Sequence, residues 1–133
     1  MIILDTSAVL ALAGGRHKAL IELAANMART PGDALWVPAL CLAQAESEDA
    51  GAGRAALTFS TVAVDPLDTV AAVTVGTLVR EGFGGIDTCH ALYCASPRPQ
   101  FTGMSILLTA HEDRYPPGIV TVDIDAPGIL GHH

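Results

Sequence analysis

The feature that most constrains the fold is the alternation of short apolar runs with longer helical patterns. The first run is Ile2-Ile3-Leu4 and the last is Ile119-Val120-Thr121-Val122. Short, wholly apolar runs are typical of strands that are buried on both faces of a parallel sheet. Their alternation with helices predicts an α/β fold, a three-layer α/β/α sandwich with a parallel sheet of about five strands. The length of 133 residues predicts a single domain over 1–133.

The element boundaries follow from apolar periodicity and from glycine and proline positions. A first helix is expected after Asp5, capped by Thr6 or Ser7. The segment 54–59 is ambiguous and is compatible with one helical turn. The remaining helices are predicted over about 17–28, from Pro38 onward, from the Asp65–Asp68 segment to about 80, and over about 87–95. Strands are predicted at 2–4, 34–37, 61–64, 104–109 and 119–122.

Composition and charge exclude several classes of protein. Half of the residues are hydrophobic and 16% are charged, which excludes a disordered chain. No apolar run approaches the length of about 18 residues that a membrane span needs, and the amino terminus lacks the positive segment of a signal peptide, so a cytoplasmic protein is expected. The net charge of −7 argues against a non-specific nucleic-acid coat and suits a basic protein partner. Cys41, Cys89 and Cys94 lack CxxC spacing and are interpreted as buried free thiols.

Two acids occupy positions that favour a metal site. Asp5 follows the first strand, and ligands of open parallel sheets bind beyond the carboxyl ends of the strands. Asp87 begins a helix after Gly84-Gly85. Each acid is also explained by a simpler role as a turn or helix cap. If two or three acids from distant positions meet, their repulsion requires a cation, and Mg²⁺ or Mn²⁺ accepts such oxygen ligands.

Three segments together resemble PIN domains, and most of all the VapC-type ribonuclease toxins of bacterial toxin–antitoxin pairs. They are the opening run 1–10, the segment Gly85-Ile86-Asp87-Thr88-Cys89-His90-Ala91-Leu92, and Ile106-Leu107-Leu108-Thr109-Ala110 with Tyr115 following. They occur in the family's order over almost the whole chain. The resemblance implies a three-layer sandwich, three or four acids that hold Mg²⁺ or Mn²⁺, and hydrolysis of RNA phosphodiesters. It also implies an antitoxin partner and a homodimer.

Carried over by position, Asp5 matches the family's first acid and Asp87 the third. Thr6 and Ser7 match hydroxyls that support the site, and Thr109 belongs to the same supporting group. These residues are therefore the candidates for metal binding and for its support.

The family's second and fourth acids are replaced, since Gln44 and His111 stand at those positions. Gln44 offers a carbonyl oxygen without charge, and His111 is a poor Mg²⁺ ligand that suits Mn²⁺ better. Both remain candidates for orienting a water molecule or a phosphate, and His111 for a general acid. Glu48, one helical turn after Gln44, and Asp113 are candidate substitute ligands, although each is also explained as a solvated surface acid. Glu46 is a poorer candidate because it lies on the other side of the helix.

Three functions are compatible with these observations. The first is a metal-dependent ribonuclease of weakened metal affinity. The second is an inactive PIN-like protein that binds a partner protein or RNA, which the replacements at Gln44 and His111 favour. The third is a phosphate-transfer domain of the haloacid-dehalogenase or receiver type. That type needs a lysine at a strand end, whereas the only lysine here is Lys18 in the second helix.

Overall fold

The structure, a computed structural model, describes residues 1–98 and 103–126, over which strands and helices alternate. The strands are β1 (Ile2–Leu4), β2 (Leu35–Pro38), β3 (Val62–Asp65), β4 (Ile106–Thr109) and β5 (Thr121–Asp123). The helices are α1 (Thr6–Ala13), α2 (Lys18–Met27), α3 (Ala39–Glu48), α4 (Ala52–Leu57), α5 (Thr69–Arg80) and α6 (Ile86–Ala95). A short 3₁₀ turn spans Glu112–Arg114.

All five strands run parallel in one sheet of order β3-β2-β1-β4-β5. The chain builds outward from β1 to β3, and then returns to β4 on the other side of β1. Because parallel crossovers are right-handed, α1 to α4 cover one face of the sheet, and α5 and α6 cover the other. The predicted three-layer α/β/α sandwich with five parallel strands is confirmed.

The core is built from the apolar runs that the sequence marks as strands. Ile3, Leu35, Val37 and Leu107 are fully buried between the two helical layers. Burying a side chain of this size stabilises the fold by about 1.5–3 kcal/mol. The three cysteines are buried free thiols, as predicted. Within residues 1–98 and 103–126, every helix is too short or too polar to cross a membrane.

Several predicted boundaries move by one to three residues. β4 begins at Ile106 rather than at Met104, whose side chain is 72% exposed. β5 is Thr121–Asp123 rather than 119–122, because its pairing with β4 begins at Thr121. α5 begins later than the Asp65–Asp68 segment, with Asp68 as its N-cap. The ambiguous segment 54–59 belongs to α4 and the turn after it. The sequence predicts an irregular tail from Asp123, but Asp123 is the last residue of β5. The part of that tail beyond residue 126 lies outside the described residues, as do His132 and His133.

Candidate functional site

The candidate site lies where the strand order reverses. Crossovers from β1 lead to one side of the sheet and the crossover from β4 leads to the other, so a crevice opens at the carboxyl ends of these two strands. Asp5 follows β1, and Thr109 is the last residue of β4. The Asp5 amide still pairs with β4, donating to the Leu108 carbonyl at 3.3 Å. Both residues therefore lie at the carboxyl ends of neighbouring strands, on the same rim of the sheet.

Asp5 is the N-cap of α1, which confirms the cap role that the sequence also allowed for this acid, whereas the prediction of Thr6 or Ser7 as the cap is wrong. Its Oδ1 accepts hydrogen bonds from the Ala8 amide at 3.1 Å and from Ser7 Oγ at 2.6 Å. Its Oδ2 accepts from the Tyr115 hydroxyl at 2.8 Å. The residue is 5% exposed. The hydrogen bonds from these three donors offset part of the free-energy cost of burying this carboxylate. One acceptor site on its two oxygens remains without a hydrogen bond from the described residues.

Ser7 and Thr109 connect the start of α1 to the end of β4. Ser7 Oγ accepts from the Ala110 amide at 2.9 Å and lies 3.4 Å from Thr109 Oγ1. Because Ser7 spends its single proton on Asp5, Thr109 is the donor in that longer contact. Thr109 Oγ1 in turn accepts from the His111 amide at 2.9 Å. The predicted supporting hydroxyls are thus part of the network around Asp5.

Asp87 comes from the other helical layer. It is the second residue of α6, and its Oδ2 accepts from Thr6 Oγ1 at 2.6 Å. The N-cap of α6 is Gly85, so the role of helix cap that the sequence allowed for Asp87 is wrong. A carboxylate in the first turn is nevertheless stabilised by the helix dipole. Asp87 is half-buried, which keeps part of its surface accessible.

Thr6 donates to Asp87 and is the chain neighbour of Asp5, so the two acids lie at the same rim of the sheet. The charges of both acids also act on the pKa of Tyr115. Burial raises it above the usual range, and the charge of Asp5, and less strongly that of Asp87, raises it further. The same two charges add to the effect of burial on the Cys41 thiol and raise its pKa. Tyr115 therefore stays protonated and remains a donor to Asp5.

Two contacts hold α3 against α6 beside the acids. The Cys41 thiol donates to the Asp87 carbonyl at 3.2 Å. The Leu40 amide donates to His90 Nδ1 at 3.2 Å, so His90 caps α3 where the N-cap Pro38 offers no side-chain acceptor. His90 is fully buried, and burial lowers the pKa of its imidazole. The neutral ring carries its proton on Nε2, since Nδ1 accepts.

Gln44 and Glu48 share one face of α3, as predicted, and they bind each other. Gln44 Nε2 donates to Glu48 Oε2 at 2.9 Å, and Glu48 is exposed. Glu46 has a structural role, since it accepts from the Gly51 amide at 2.6 Å and from the Gly53 amide at 3.0 Å at the start of α4. These backbone donors lower the pKa of Glu46. The hydrogen bonds of the described residues do not join Gln44 or Glu48 to Asp5 or Asp87.

His111 and Asp113 are both exposed. His111 contributes its backbone amide to Thr109, and Asp113 lies in the 3₁₀ turn. In the part of the chain that the structure describes, no three His, Cys, Asp or Glu side chains are grouped as metal ligands would be. The structure thus brings together Asp5 and Asp87 with Thr6, Ser7 and Thr109. It does not add the candidate substitutes to that group.

A cleft of about 390 Å³ lies beside Asp87, and sequence reasoning missed two of its side chains. It is lined by the segment Gly82-Phe83-Gly84-Gly85, Asp87, Thr88 and Arg114. The glycine-rich segment 82–85 indicates a flexible break and the segment 111–115 is polar and short, so neither pattern marks Phe83 or Arg114 as a site residue. The role of Tyr115 was missed as well. Once the structure shows that Tyr115 is buried, a partner for its hydroxyl is expected, but the sequence alone does not show that burial.

The chain was compared with family models, with curated proteins and with solved structures, and none of the three comparisons found a match.

Proposed function

We propose that this protein is a PIN-like, divalent-metal-dependent ribonuclease of the VapC toxin type that hydrolyses RNA phosphodiesters. The meeting of Asp5 and Asp87 at the crevice carries the proposal. These acids are far apart in sequence and come from different layers. Thr6, which follows Asp5 in the chain, links them because its Oγ1 donates a 2.6 Å hydrogen bond to Asp87. Two carboxylates at the same ligand-binding rim of a sheet favour a cation between them.

The donor set fits Mg²⁺ or Mn²⁺ of modest affinity. Mg²⁺ is commonly held by one or two carboxylates, with water and substrate phosphates as the remaining ligands. Asp5 retains one acceptor site after its three hydrogen bonds, and among the described residues the Asp87 carboxylate accepts one hydrogen bond, from Thr6. When bound, the ion would activate water and stabilise charge on the phosphoryl oxygens. Gln44 and His111 replace two acids of the resemblance, so affinity is expected to be weak.

The protein's own residues prepare the site for that ion. Ser7 and Tyr115 fix the Asp5 carboxylate from both of its oxygens, and Thr6 fixes Asp87. Such preorganisation lowers the cost of gathering ligands around a cation. His111 follows Thr109 at the same edge and is exposed, which leaves it available to orient a phosphate or donate a proton.

A cleavage assay with Asp5→Asn tests the proposal, and Asp68→Asn is its matched control. Asn is as good an N-cap as Asp, so both variants keep their caps. We expect Mn²⁺-dependent cleavage of mixed RNA substrates by the wild type and by Asp68→Asn. Asp5→Asn should lose about 100-fold or more, the usual cost of removing a group that stabilises transition-state charge. Equal activity of the two variants, or no cleavage by the wild type at millimolar Mn²⁺, would contradict the proposal.

The alternative is a PIN-like protein without catalysis that binds a partner protein or RNA. Gln44 and His111 at two acid positions favour it, as does the pairing of Gln44 with Glu48. A crystal structure grown with Mn²⁺ separates the two functions. An ion between Asp5 and Asp87 supports the nuclease, and an empty crevice supports the binding protein.

The proposed partners follow from the resemblance. We infer an antitoxin that covers the crevice and a homodimer. The net charge of −7 suits a basic antitoxin. Exposed apolar side chains such as Val70 (61%) and Val73 (68%) on α5 are consistent with a covered surface. Static light scattering tests the dimer, and a monomer at micromolar concentration would contradict it.

A further inference from the structure

The cleft beside Asp87 holds two groups that the proposed metal chemistry does not use. Arg114 contributes a cation, and Phe83, a residue that is 38% exposed, contributes an aromatic ring. We propose that this cleft is a nucleotide subsite for single-stranded RNA, in which Arg114 binds a phosphate and Phe83 stacks on a base. The subsite rests on the ribonuclease function proposed above, because Asp87 lines the same cleft and would act on a neighbouring phosphate.

Phe83 is held in place by the end of α5. The Phe83 amide donates to the Leu78 carbonyl and the Gly82 amide donates to the Val79 carbonyl, both at 3.1 Å. This pair of bonds is a Schellman motif, and Gly82 supplies its left-handed residue with φ +89°. The ring is therefore anchored at its backbone yet partly exposed. An aromatic group fixed in this way loses little conformational entropy when a ligand stacks on it.

The glycines of the same segment keep the cleft open. Gly84 has φ +128°, and a Cβ there would lie 3.2 Å from Thr88 Cγ2. A larger residue would strain the backbone and press on α6. The chain can thus pass close to Asp87 without filling the space that a nucleotide needs.

Arg114 is tethered to the acid site through its neighbour. It ends the 3₁₀ turn, and the next residue, Tyr115, is bonded to Asp5 at 2.8 Å. The ion pairs of the described residues are formed by His17 and Arg98, which leaves the Arg114 guanidinium available. A guanidinium matches the geometry of phosphate oxygens and pairs with them by two parallel hydrogen bonds. Arg114 is thus positioned to hold a phosphate near Asp87.

An aromatic ring and a guanidinium in one cleft favour single-stranded RNA over a duplex. Bases inside a duplex are already stacked and cannot reach an isolated ring in a cleft. Bases of a single strand can splay out onto an aromatic side chain, and such stacking depends little on sequence. The low positive charge of the chain, with 7 Lys and Arg against 14 Asp and Glu, also argues against a long duplex-binding surface.

Fluorescence anisotropy with a labelled oligouridylate of about ten nucleotides tests the subsite. Binding is measured in EDTA, which prevents metal-dependent cleavage, and is repeated with Ca²⁺. The variants are Arg114→Gln, Phe83→Ala and Phe83→Tyr. Arg29→Gln is the charge-matched control, because Arg29 is exposed and lies in the loop that leads into β2, at the amino-terminal ends of the strands. A duplex of the same length serves as the competing ligand.

We expect Phe83→Ala to weaken binding about 5-fold or more and Phe83→Tyr to stay within about twofold, since stacking on an aromatic ring contributes about 1–3 kcal/mol. Arg114→Gln should weaken binding and lower the slope of log K against log salt by about 0.7, the value for one phosphate contact with a single strand. An oligomer of abasic units should respond to Arg114→Gln but not to Phe83→Ala. Arg29→Gln should match the wild type.

The outcomes separate the subsite from the nuclease. If Arg114→Gln and Phe83→Ala bind like Arg29→Gln, or if the wild type binds neither oligomer, the subsite is overturned whether or not RNA is cleaved. If the wild type prefers the duplex, the substrate class is wrong. If both variants weaken single-strand binding while no metal supports cleavage, the subsite stands and the nuclease function fails.

Discussion

Asp5 and Asp68 begin two helices of this protein with nearly the same backbone geometry. Asp5 has φ −80° and ψ −176°, and Asp68 has φ −77° and ψ −177°. Each carboxylate accepts from the amide three residues later, Ala8 at 3.1 Å and Ala71 at 2.8 Å. Yet Asp5 is 5% exposed and bonded to Ser7 and Tyr115, whereas Asp68 is exposed.

The difference shows that a cap and a candidate metal ligand cannot be told apart by local geometry. At Asp68 the cap accounts for the carboxylate. At Asp5 the cap uses Oδ1, whereas Oδ2 accepts a hydrogen bond from the Tyr115 hydroxyl. Asp5 also lies at the same rim of the sheet as Asp87. Burying a charge beside a second carboxylate costs free energy that capping alone does not require. This excess cost distinguishes the two acids.

Truncating each acid should give the largest difference in stability. Asp5→Ala leaves the Ser7 and Tyr115 hydroxyls and the Ala8 amide without their acceptor, so we expect a loss of about 3 kcal/mol. Asp68→Ala removes a solvent-exposed cap and should cost about 1 kcal/mol. Urea denaturation of both variants measures the free energies of unfolding. Equal losses would mean that the burial of Asp5 carries no energetic weight.

Removing the tyrosine hydroxyl should have a smaller and more local effect. Tyr115→Phe deletes the bond to Asp5 Oδ2, and we expect a cost of about 1–2 kcal/mol for a hydrogen bond to a charged acceptor. A double-mutant cycle locates the effect. The cost should persist in the Asp68→Asn background and shrink in the Asp5→Asn background. A cost that is the same in both backgrounds would place the role of Tyr115 elsewhere.

The start of α3 extends the comparison of helix caps to the dependence of stability on pH. His90 Nδ1 caps α3, and burial, as the main cause, lowers the pKa of this histidine. The charges of Asp65, Asp68 and Arg98 act on the same ring. As pH falls through the ordinary histidine range, the unfolded chain takes up a proton before the folded one, so stability decreases.

His90→Asn tests this pH dependence, because its amide oxygen can still accept from the Leu40 amide and does not titrate. We expect the urea midpoint of the wild type to fall between about pH 7 and pH 5 more steeply than that of the variant. The exposed His111→Asn variant should follow the wild type. If His90→Asn and the wild type have parallel profiles, His90 is not the group that titrates.

The parts of the fold that depend on short-range patterns were predictable. The apolar runs at Ile3 and Leu107 predicted a parallel sheet, and the carboxyl ends of parallel strands, where Asp5 and Thr109 lie, meet at the same rim of the sheet. The four-residue spacing of Gln44 and Glu48 predicted a shared helix face, and the two side chains bond. In each case the prediction depends on the residue pattern within a single helix or strand.

The parts that depend on long-range contacts were not predictable. Asp5, Thr6 and Ser7 are all good caps, and the choice among them depends on where pairing with Leu108 ends. The bond from Tyr115 to Asp5 joins residues 110 positions apart. No local pattern encodes such a pair, nor the cleft that Arg114 and Phe83 share.

The most direct test of the central claim is a Mn²⁺ titration followed by electron paramagnetic resonance, with the wild type, Asp5→Asn, Asp87→Asn and Asp68→Asn. If Asp5 and Asp87 hold the ion together, each of their variants should weaken Mn²⁺ binding about tenfold or more, and Asp68→Asn should bind like the wild type. Mn²⁺ affinities that are unchanged in Asp5→Asn and Asp87→Asn would contradict the account.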